Sequence, residues 1–314
     1  MNPLISVVLP TYNRADLLGQ AIGSVIAQTY TDWELIIWDD GSTDNTYRVV
    51  QSFNDQRIKY FRAQNHGMSF ALNQGISRAN GSYIGFIDDD DYWMDFKLET
   101  QMAIFLSHPD IEMIFGNFIN INSETNGEKD AFISNKKALK KLEILPLGES
   151  VFKIIDGFQE SITYVNYIAF DTVVMKRSTI EEIGEFNENL RNGQDFEYWW
   201  RFGLGKRQAA FTNKKLMTRV KIPGSLSGRS IETSLWRLRS LDSCREISEK
   251  QDGHKTVRLL NSAYRNTWQN LIYQYSLQKD EKGMTQSFLK ALGYGFRFGT
   301  LRLYLHGLSN IRLK

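Results

Sequence analysis

The 314-residue chain carries a run of four carboxylates, Asp88-Asp89-Asp90-Asp91, and an earlier acidic pair, Asp39-Asp40, followed by Gly41-Ser42-Thr43-Asp44-Asn45. Two unit charges about 5 Å apart at an effective dielectric near 20 repel by roughly 3 kcal/mol, so four neighbouring carboxylates call for a counter-charge. A hard divalent cation supplies it through oxygen ligands, and the same oxygens can accept from a ribose or share the cation with a phosphate. Side chains alternate along an extended segment, which sets Asp88 and Asp90 together as a metal-holding D-x-D pair, turns Asp89 the other way and leaves Asp91 to cap the next turn. A solvated acidic turn is the competing reading of such a run. An EF-hand loop is excluded, because Trp93 stands where that loop requires glycine.

Other means of holding such a ligand are missing. One cysteine, Cys244, and four scattered histidines, His66, His108, His254 and His306, do not make a zinc site of usual spacing, so a metal is left to oxygen ligands. The first strand leads into Pro10-Thr11-Tyr12-Asn13-Arg14 rather than a G-x-G-x-x-G turn, and no Walker A sequence is present. A nicotinamide-dependent oxidoreductase on a similar sheet is thereby disfavoured. Asp40 can still accept from a base N–H or a ribose hydroxyl while a cation takes the diphosphate; the alternative is an Asp that caps a turn.

The elements that position these groups alternate in type. Leu4–Leu9 is a short apolar run stopped by Pro10, the pattern of a strand covered on both faces. From Ala15 onward Leu17, Leu18, Ala21, Ile22, Val25 and Ile26 share one helical face, and that helix closes near Gln28. Leu35–Trp38 reads as a second strand, followed by a helix to about Phe53; Ile58–Phe61 is a third strand, Ala71–Ala79 a helix and Tyr83–Ile87 a fourth strand. The alternation implies an α/β fold with a mainly parallel central sheet, helices on both sides and ligands at the carboxyl ends of the strands, where both acidic clusters fall. Beyond Gly116, Ser123–Lys141 reads as a polar surface excursion, Thr172–Met175 as a strand, Ser178 as the cap of a short helix, Phe196–Phe202 as an aromatic helix, and the chain from about Ile231 as helical.

Hydrophobic residues at 42% and charged residues at 24% are the proportions of a soluble globular protein. Lys and Arg number 38 against 36 Asp and Glu, a net charge of +2 that is too small for a protein built to neutralise runs of phosphate, so nucleic acid is not an expected partner. Met1–Pro10 has an apolar run without a preceding basic residue and suits neither a secretory signal nor a spanning helix, so a cytoplasmic location is expected. From Thr285 on there are five basic residues (Lys290, Arg297, Arg302, Arg312 and Lys314) and no acid, interleaved with Phe288, Leu289, Leu292, Phe296, Phe298, Leu301, Leu305 and Leu308. That composition suits peripheral contact with the cytoplasmic face of a membrane; packing on the rest of the chain, or on a second subunit of a homodimer, is the alternative.

Val7-Val-Leu-Pro-Thr-Tyr-Asn-Arg14, Gln28-Thr-Tyr, Trp33-Glu-Leu, Asp39-Asp-Gly-Ser-Thr-Asp44, Asn65-x-Gly67, Ala79-x-Gly81 and Ile87-Asp-Asp-Asp-Asp91-Tyr-Trp occur in one order over about 110 residues, and together the chain resembles the family 2 glycosyltransferases of GT-A fold. A further stretch, Ile183-Gly-x-Phe186-Asn-Glu-x-Leu190 and Gly193-Gln-Asp195-Phe-Glu-Tyr-Trp, is similar to the family segment that carries a catalytic base. The resemblance implies an inverting transfer of a sugar from a nucleotide-sugar donor, a UDP-sugar first, to a hydroxyl of a glycan or lipid-linked acceptor in bacterial surface polysaccharide synthesis. It assigns Asp195 as general base, with Glu197 as the fallback, and Asp90 with Asp88 to the metal. Pro10, Thr11, Tyr12, Asn13, Arg14, Asp40, Asn73, Asp88 and Asp89 fall to the nucleotide. It implies a catalytic domain over 1–228, with a nucleotide-binding half to about 115 and an acceptor-binding half from about 116, and a helical extension over 229–314.

Several positions depart from the family pattern. Leu72 stands where many relatives have an Arg before the Asn, Lys221 where many have a His, and Gln194 where many have a Glu. These leave a second function class open, a catalytically inactive sugar-nucleotide-binding protein of the same fold. Asp195 could also simply complement a helix dipole, and Tyr198, Trp199 and Trp200 on an amphipathic helix are core more often than sugar platforms, Trp199 being the best platform of the three.

Overall fold

A computed structural model describes residues 2–122, 125, 127–221, 230–251, 254–295 and 297–312. The first half alternates as expected: β1 (Ile5–Thr11), α1 (Ala15–Ile26), β2 (Trp33–Asp39), α2 (Thr46–Gln51), β3 (Ile58–Arg62), α3 (Met68–Ser77) and β4 (Tyr83–Phe86). These strands pair in parallel in the order β3-β2-β1-β4. Every residue of β1 and β2 is buried, and the pleat divides them: Val8 and Ile36 enter one hydrophobic core, while Ile5, Val7, Leu9, Leu35 and Ile37 enter the other. Both faces are covered, so these strands read as unbroken apolar runs rather than alternating ones.

The second half folds back onto this sheet. It runs β5 (Asp91–Trp93), α4 (Lys97–Ser107), β6 (Met113–Asn122), β7 (Glu128–Asp130), α5 (Ala131–Ser134), α6 (Lys136–Leu139), β8 (Glu143–Pro146), β9 (Val151–Asp156) and α7 (Phe158–Tyr164). A 3-10 turn at Phe170–Thr172 then leads to β10 (Val174–Lys176), α8 (Arg177–Ile183), α9 (Gln194–Leu204) and β11 (Ala209–Lys221). The sheet continues from β4 as β10-β6-β11-β9-β8, with β10 antiparallel to both neighbours and β11 parallel to β6. The sheet is therefore mixed, its parallel block lying in the half that carries the two acidic loops. β11 departs from regular register between Thr212 and Met217, and its last third also pairs with β5, setting Arg219 directly opposite Asp91.

Some local expectations are corrected. The 123–141 region is not all surface: Ala131, Phe132 and Ala138 are buried, and Phe132 packs edge-on against Phe115. Ser178 lies inside α8, which begins at Arg177.

Four helices complete the chain: α10 (Ile231–Gln251), α11 (His254–Leu277), α12 (Glu281–Leu292) and α13 (Phe298–Arg312). α10 is bound to α9, with Trp200 Nε1 donating to Ser248 Oγ at 2.9 Å, Ser240 Oγ donating to the Gly193 carbonyl at 2.8 Å, and the Arg237 guanidinium 3.6 Å from the centre of the Phe196 ring. Among the described residues no helix is long and apolar enough to cross a membrane. Phe298 starts a helix rather than a strand, whereas Phe296 and the boundary at 228/229 lie outside the described residues.

Candidate active site

The acidic run does not lie extended. The chain turns at Asp89-Asp90, with the Asp91 amide donating to the Asp88 carbonyl at 3.4 Å, so the turn joins Asp88 to Asp91 rather than to Asp90. A third carboxylate comes from the 3-10 turn before β10: Asp171, fully buried, accepts from the Asp88 amide at 2.5 Å. One carboxylate oxygen each from Asp88, Asp91 and Asp171 lie within 4.8 Å of one another. Arg219 enters from β11, its Nε donating to Asp91 Oδ2 at 3.2 Å and its Nη2 to Asp171 Oδ2 at 3.0 Å. Asp91 is thus ion-paired instead of capping a turn. Asp90 is half-buried at the rim and feels Asp171 together with the opposing charges of Arg14 and Arg219.

Burial, then the neighbouring carboxylates Asp171 and Asp91, pushes the Asp88 carboxyl well above the usual range; burial, then Asp171, does the same to Asp91. Burial also pushes Asp89 up to about 6, against the hydrogen bond from Thr11 Oγ1 at 2.7 Å. For Arg219 burial opposes the charge, and Asp91 and Asp171 outweigh it. Lys97, fully buried at the start of α4, donates to Gln101 Oε1 at 2.8 Å and sits 3.9 Å from the centre of the Trp93 ring; burial drives its pKa well down, partly offset by Asp171.

Asp88 Oδ1 and Asp91 Oδ1 are buried and have no hydrogen-bond partner among the described residues. A desolvated carboxylate oxygen left unpaired is costly. Three carboxylates against one guanidinium leave roughly two negative charges, and hard oxygen donors of that charge fit Mg2+ or Mn2+. The residues present therefore suit a divalent cation.

Beside this turn, the end of β1 and the loop after β2 interlock. Pro10 and Thr11 are buried in β1, and the Thr11 carbonyl accepts from the Asp40 amide at 2.9 Å. Asn13, in the left-handed region at φ 53°, accepts through Oδ1 from the Thr43 amide at 2.7 Å, while its own amide donates to Ser42 Oγ at 2.9 Å. Asp39 is structural, receiving the Ser42 amide at 2.7 Å and the Tyr60 hydroxyl at 2.5 Å. Asp40 receives the amides of His66 at 2.9 Å and Gly67 at 2.7 Å, and burial nevertheless raises its pKa. Each Asp40 oxygen retains a second lone pair for a ligand. Gly41 has φ +89°, and a Cβ there would stand 3.0 Å from the Asn65 nitrogen, so glycine lets the two loops approach. Tyr12 is half-exposed at the rim, and Arg14 faces the charges of Asp89 and Asp90.

Asn73 is engaged elsewhere. Its amide donates to the Phe186 carbonyl at 3.0 Å and to Glu188 Oε1 at 2.9 Å, and its oxygen accepts from the Phe186 amide at 2.8 Å. In this arrangement Asn73 pins the segment leading into α9, helped by Ser69 Oγ, which donates to the Leu190 carbonyl at 3.1 Å. Leu72, where many relatives carry an arginine, is fully buried in the hydrophobic core.

Asp195 is the second residue of α9, and Asn166 Nδ2 donates to its Oδ2 at 2.7 Å. Glu197 is buried against Arg201 at 3.0 Å, whose guanidinium also binds the carbonyls of Ile183 and Glu185, so its carboxylate is engaged in an ion pair while that of Asp195 faces Asn166. Tyr198, Trp199 and Trp200 are fully buried, Tyr198 stacked on Phe186 at 4.0 Å, so none of them offers a face to a sugar. Lys221 ends β11, and Ile222–Ser227 lie outside the described residues.

Asp171, Arg219 and Asn166 belong to no motif legible in the sequence. The available signal was a lone charge inside an apolar stretch, Ile168-Ala-Phe-Asp171-Thr-Val-Val174, which by itself names no partner.

Comparison with known proteins agrees with this architecture. Residues 6–159 match the family model described as Glycosyl transferase family 2. An Escherichia coli protein named UDP-Glc:alpha-D-GlcNAc-diphosphoundecaprenol beta-1,3-glucosyltransferase is 38% identical over 123 residues, 39% of this chain and 48% of that protein. A Campylobacter jejuni protein named GalNAc(5)-diNAcBac-PP-undecaprenol beta-1,3-glucosyltransferase is 39% identical over 149 residues, 44% of this chain and 48% of that protein. The chain spans about half the length of these two, and 31% of a Rickettsia felis uncharacterized glycosyltransferase that is 32% identical over 203 residues. Staphylococcus aureus TarS 1–349 in complex with UDP superposes with a TM-score of 0.65 at 16% identity, over 98% of this chain and 89% of that one. The Pyrobaculum calidifontis mannosyltransferase PcManGT in complex with GDP-Man and Mn2+ gives 0.59 at 15% identity, over 98% and 80%. Residues 6–159, just under half of the chain, thus carry sequence similar to glycosyl transferase family 2, and the chain takes the GT-A fold of these solved structures with a helical C-terminal region.

Proposed function

We propose that the protein is an inverting, metal-dependent glycosyltransferase that moves a hexose from a UDP-sugar to a hydroxyl of a lipid-linked glycan during bacterial surface polysaccharide synthesis. The observation that carries this is the pair of buried, unpartnered carboxylate oxygens on Asp88 and Asp91 beside the loops of Thr11 and Asp40. The undecaprenol-linked substrates in the names of the two glucosyltransferase relatives support the acceptor class, and the UDP held by TarS supports the donor. We assign residues 1–228 to catalysis, with the nucleotide half to about 115, and 229–314 to the extension.

In this reading Asp40 accepts from the base, Asp89 and the 11–14 loop line the ribose side, and Asp88 with Asp91, flanked by Asp90, holds a Mg2+ or Mn2+ ion. When bound, that ion supplies Lewis-acid stabilisation of the charge growing on the departing diphosphate. Asp195, oriented by Asn166, takes the proton of the acceptor hydroxyl as its oxygen bonds to the anomeric carbon and the bond to the nucleoside diphosphate breaks on the opposite face. One base and one displacement give inversion.

We place the work at the cytoplasmic face of the membrane. Leu289, Phe298 and Leu305 are exposed on α12 and α13 near Lys290, Arg297 and Arg302, a mixture suited to anionic lipid. The test of the function is a panel of UDP-, GDP- and dTDP-sugars with and without Mn2+, read by thermal shift and by sugar transfer to a polyprenyl-diphosphate acceptor. Protection by a UDP-sugar only with metal, together with transfer, is expected; protection without transfer to any acceptor would favour the inactive binder.

A further inference from the structure

Arg219 and Asp91 face one another because β5 is laid antiparallel on the end of β11, and the guanidinium then reaches past Asp91 to Asp171. It uses two different nitrogens for two carboxylates on separate segments, a division that a point charge cannot reproduce. The Phe118 ring, 5.3 Å from the guanidinium carbon, covers another side of it. Asp171 completes the figure by accepting the Asp88 amide through Oδ1 while giving Oδ2 to Arg219. These contacts take Asp91 Oδ2 and both oxygens of Asp171 and engage Asp88 only through its backbone amide, so Asp91 Oδ1 and Asp88 Oδ1 stay unpartnered among the described residues.

We propose that Arg219 and Asp171 form a latch that fixes the 88–91 turn in the shape that receives the donor diphosphate and its cation, making both of them positioning residues of the transfer. This rests on the donor reading given above. Pure charge counting predicts the reverse: deleting the guanidinium takes the three-carboxylate group from about −2 to −3 and should tighten a cation. A latch predicts weakening, because the carboxylates lose their common anchor and repel one another apart. The sign of the change therefore separates the two.

The latch also registers the base. Asp171 lies five residues after Asn166, whose amide holds Asp195, and five residues of chain span at most about 18 Å, less where the 3-10 turn shortens them. One buried segment, with Tyr167, Ile168 and Ala169 in the core, thus links the acidic turn to the proton acceptor.

The test is titration of Mn2+ and UDP into the wild-type full chain and into Arg219→Met, Arg219→Lys and Asp171→Asn, by calorimetry and by the Mn2+ spin-resonance signal, with circular dichroism as the check on folding. The latch predicts at least a tenfold loss of Mn2+·UDP affinity in Arg219→Met and Asp171→Asn, and partial recovery in Arg219→Lys. A folded Arg219→Met that binds as tightly as wild type, or more tightly, overturns it. Should Arg219→Met fail to fold, unchanged affinity in both Asp171→Asn and Arg219→Lys overturns it equally. Wild-type protein that binds no Mn2+·UDP would refute the donor reading itself and is told apart by occurring before any substitution.

Discussion

Replacing Asp195 by asparagine separates chemistry from architecture. The carboxamide put in place of the carboxylate keeps an acceptor oxygen for the Asn166 amide now at 2.7 Å, so the contact survives as a neutral hydrogen bond, roughly half the strength of the charge-assisted one, a loss of about 1 kcal/mol. A first-turn anion on α9 is worth a further 0.3–1 kcal/mol or so. The fold should thus lose about 1–2 kcal/mol, lowering Tm by roughly 2–8 °C for a chain of this size. A general base contributes about 100- to 10,000-fold, or about 3–5 kcal/mol of barrier, none of which asparagine can supply. The expected result is kcat down at least 100-fold with donor affinity and fold retained, measured by UDP release in the presence of acceptor. Glu197→Gln should behave in the opposite sense: opening its buried pair with Arg201 costs about 3–5 kcal/mol of stability while kcat of the folded fraction changes little. Turnover of Asp195→Asn within tenfold of wild type would refute the assignment of the base.

Glu34 gives a pH prediction. Burial alone would raise its pKa, but Lys59, Ser6 and Asn80 outweigh it and bring it down to about 2 from 4.5. A depressed carboxylate stabilises the fold above its unfolded value and ceases to as pH falls through its folded one, so melting temperature should drop between about pH 4.5 and 2. Glu34→Gln should flatten that arm and cost about 1–2 kcal/mol near neutrality, solvent at the half-exposed Lys59 screening part of the pairing, checked by calorimetry against pH. Gly41→Ala meets both a left-handed φ of +89° and backbone at 3.0 Å, so it should cost about 1–3 kcal/mol and weaken UDP binding, read by thermal melts and titration. On vesicles of anionic lipid, Lys290→Glu with Arg302→Glu should lower binding at least 30-fold at about 1 kcal/mol per basic residue lost, measured by sedimentation; unchanged binding would favour packing against another protein surface.

What could be read beforehand was local. Apolar runs of β1 and β2 announce strands covered twice, the spacing from Leu17 to Ile26 announces a helix, and the acidic loops must then fall at strand ends. The grouping of Asp88 with Asp91 was not legible, because alternation holds only for extended chain and this segment turns. Asp171 and Arg219 lie 80 and 128 residues from Asp91, and nothing short-range states that β11 bends back to meet β5. β11 itself hides behind Asn213-Lys214-Lys215, where the register slips and polar residues interrupt the pattern. Asn73 carries the signature of a polar ligand contact, yet its side-chain hydrogen bonds go to the backbone and side chains of 186–188.

The clasp between Ser240 and the carbonyl of Gly193, one residue ahead of the helix that begins with Gln194, bears on how this molecule can be recombined with its kin. A graft exchanging only the sheet-bearing portion would strip α9 of Ser240 and Ser248 and open the indole nitrogen of Trp200 to a foreign neighbour. Chimeras intended to swap acceptor preference should therefore carry α10 with the transplanted piece and place the seam after Gln251.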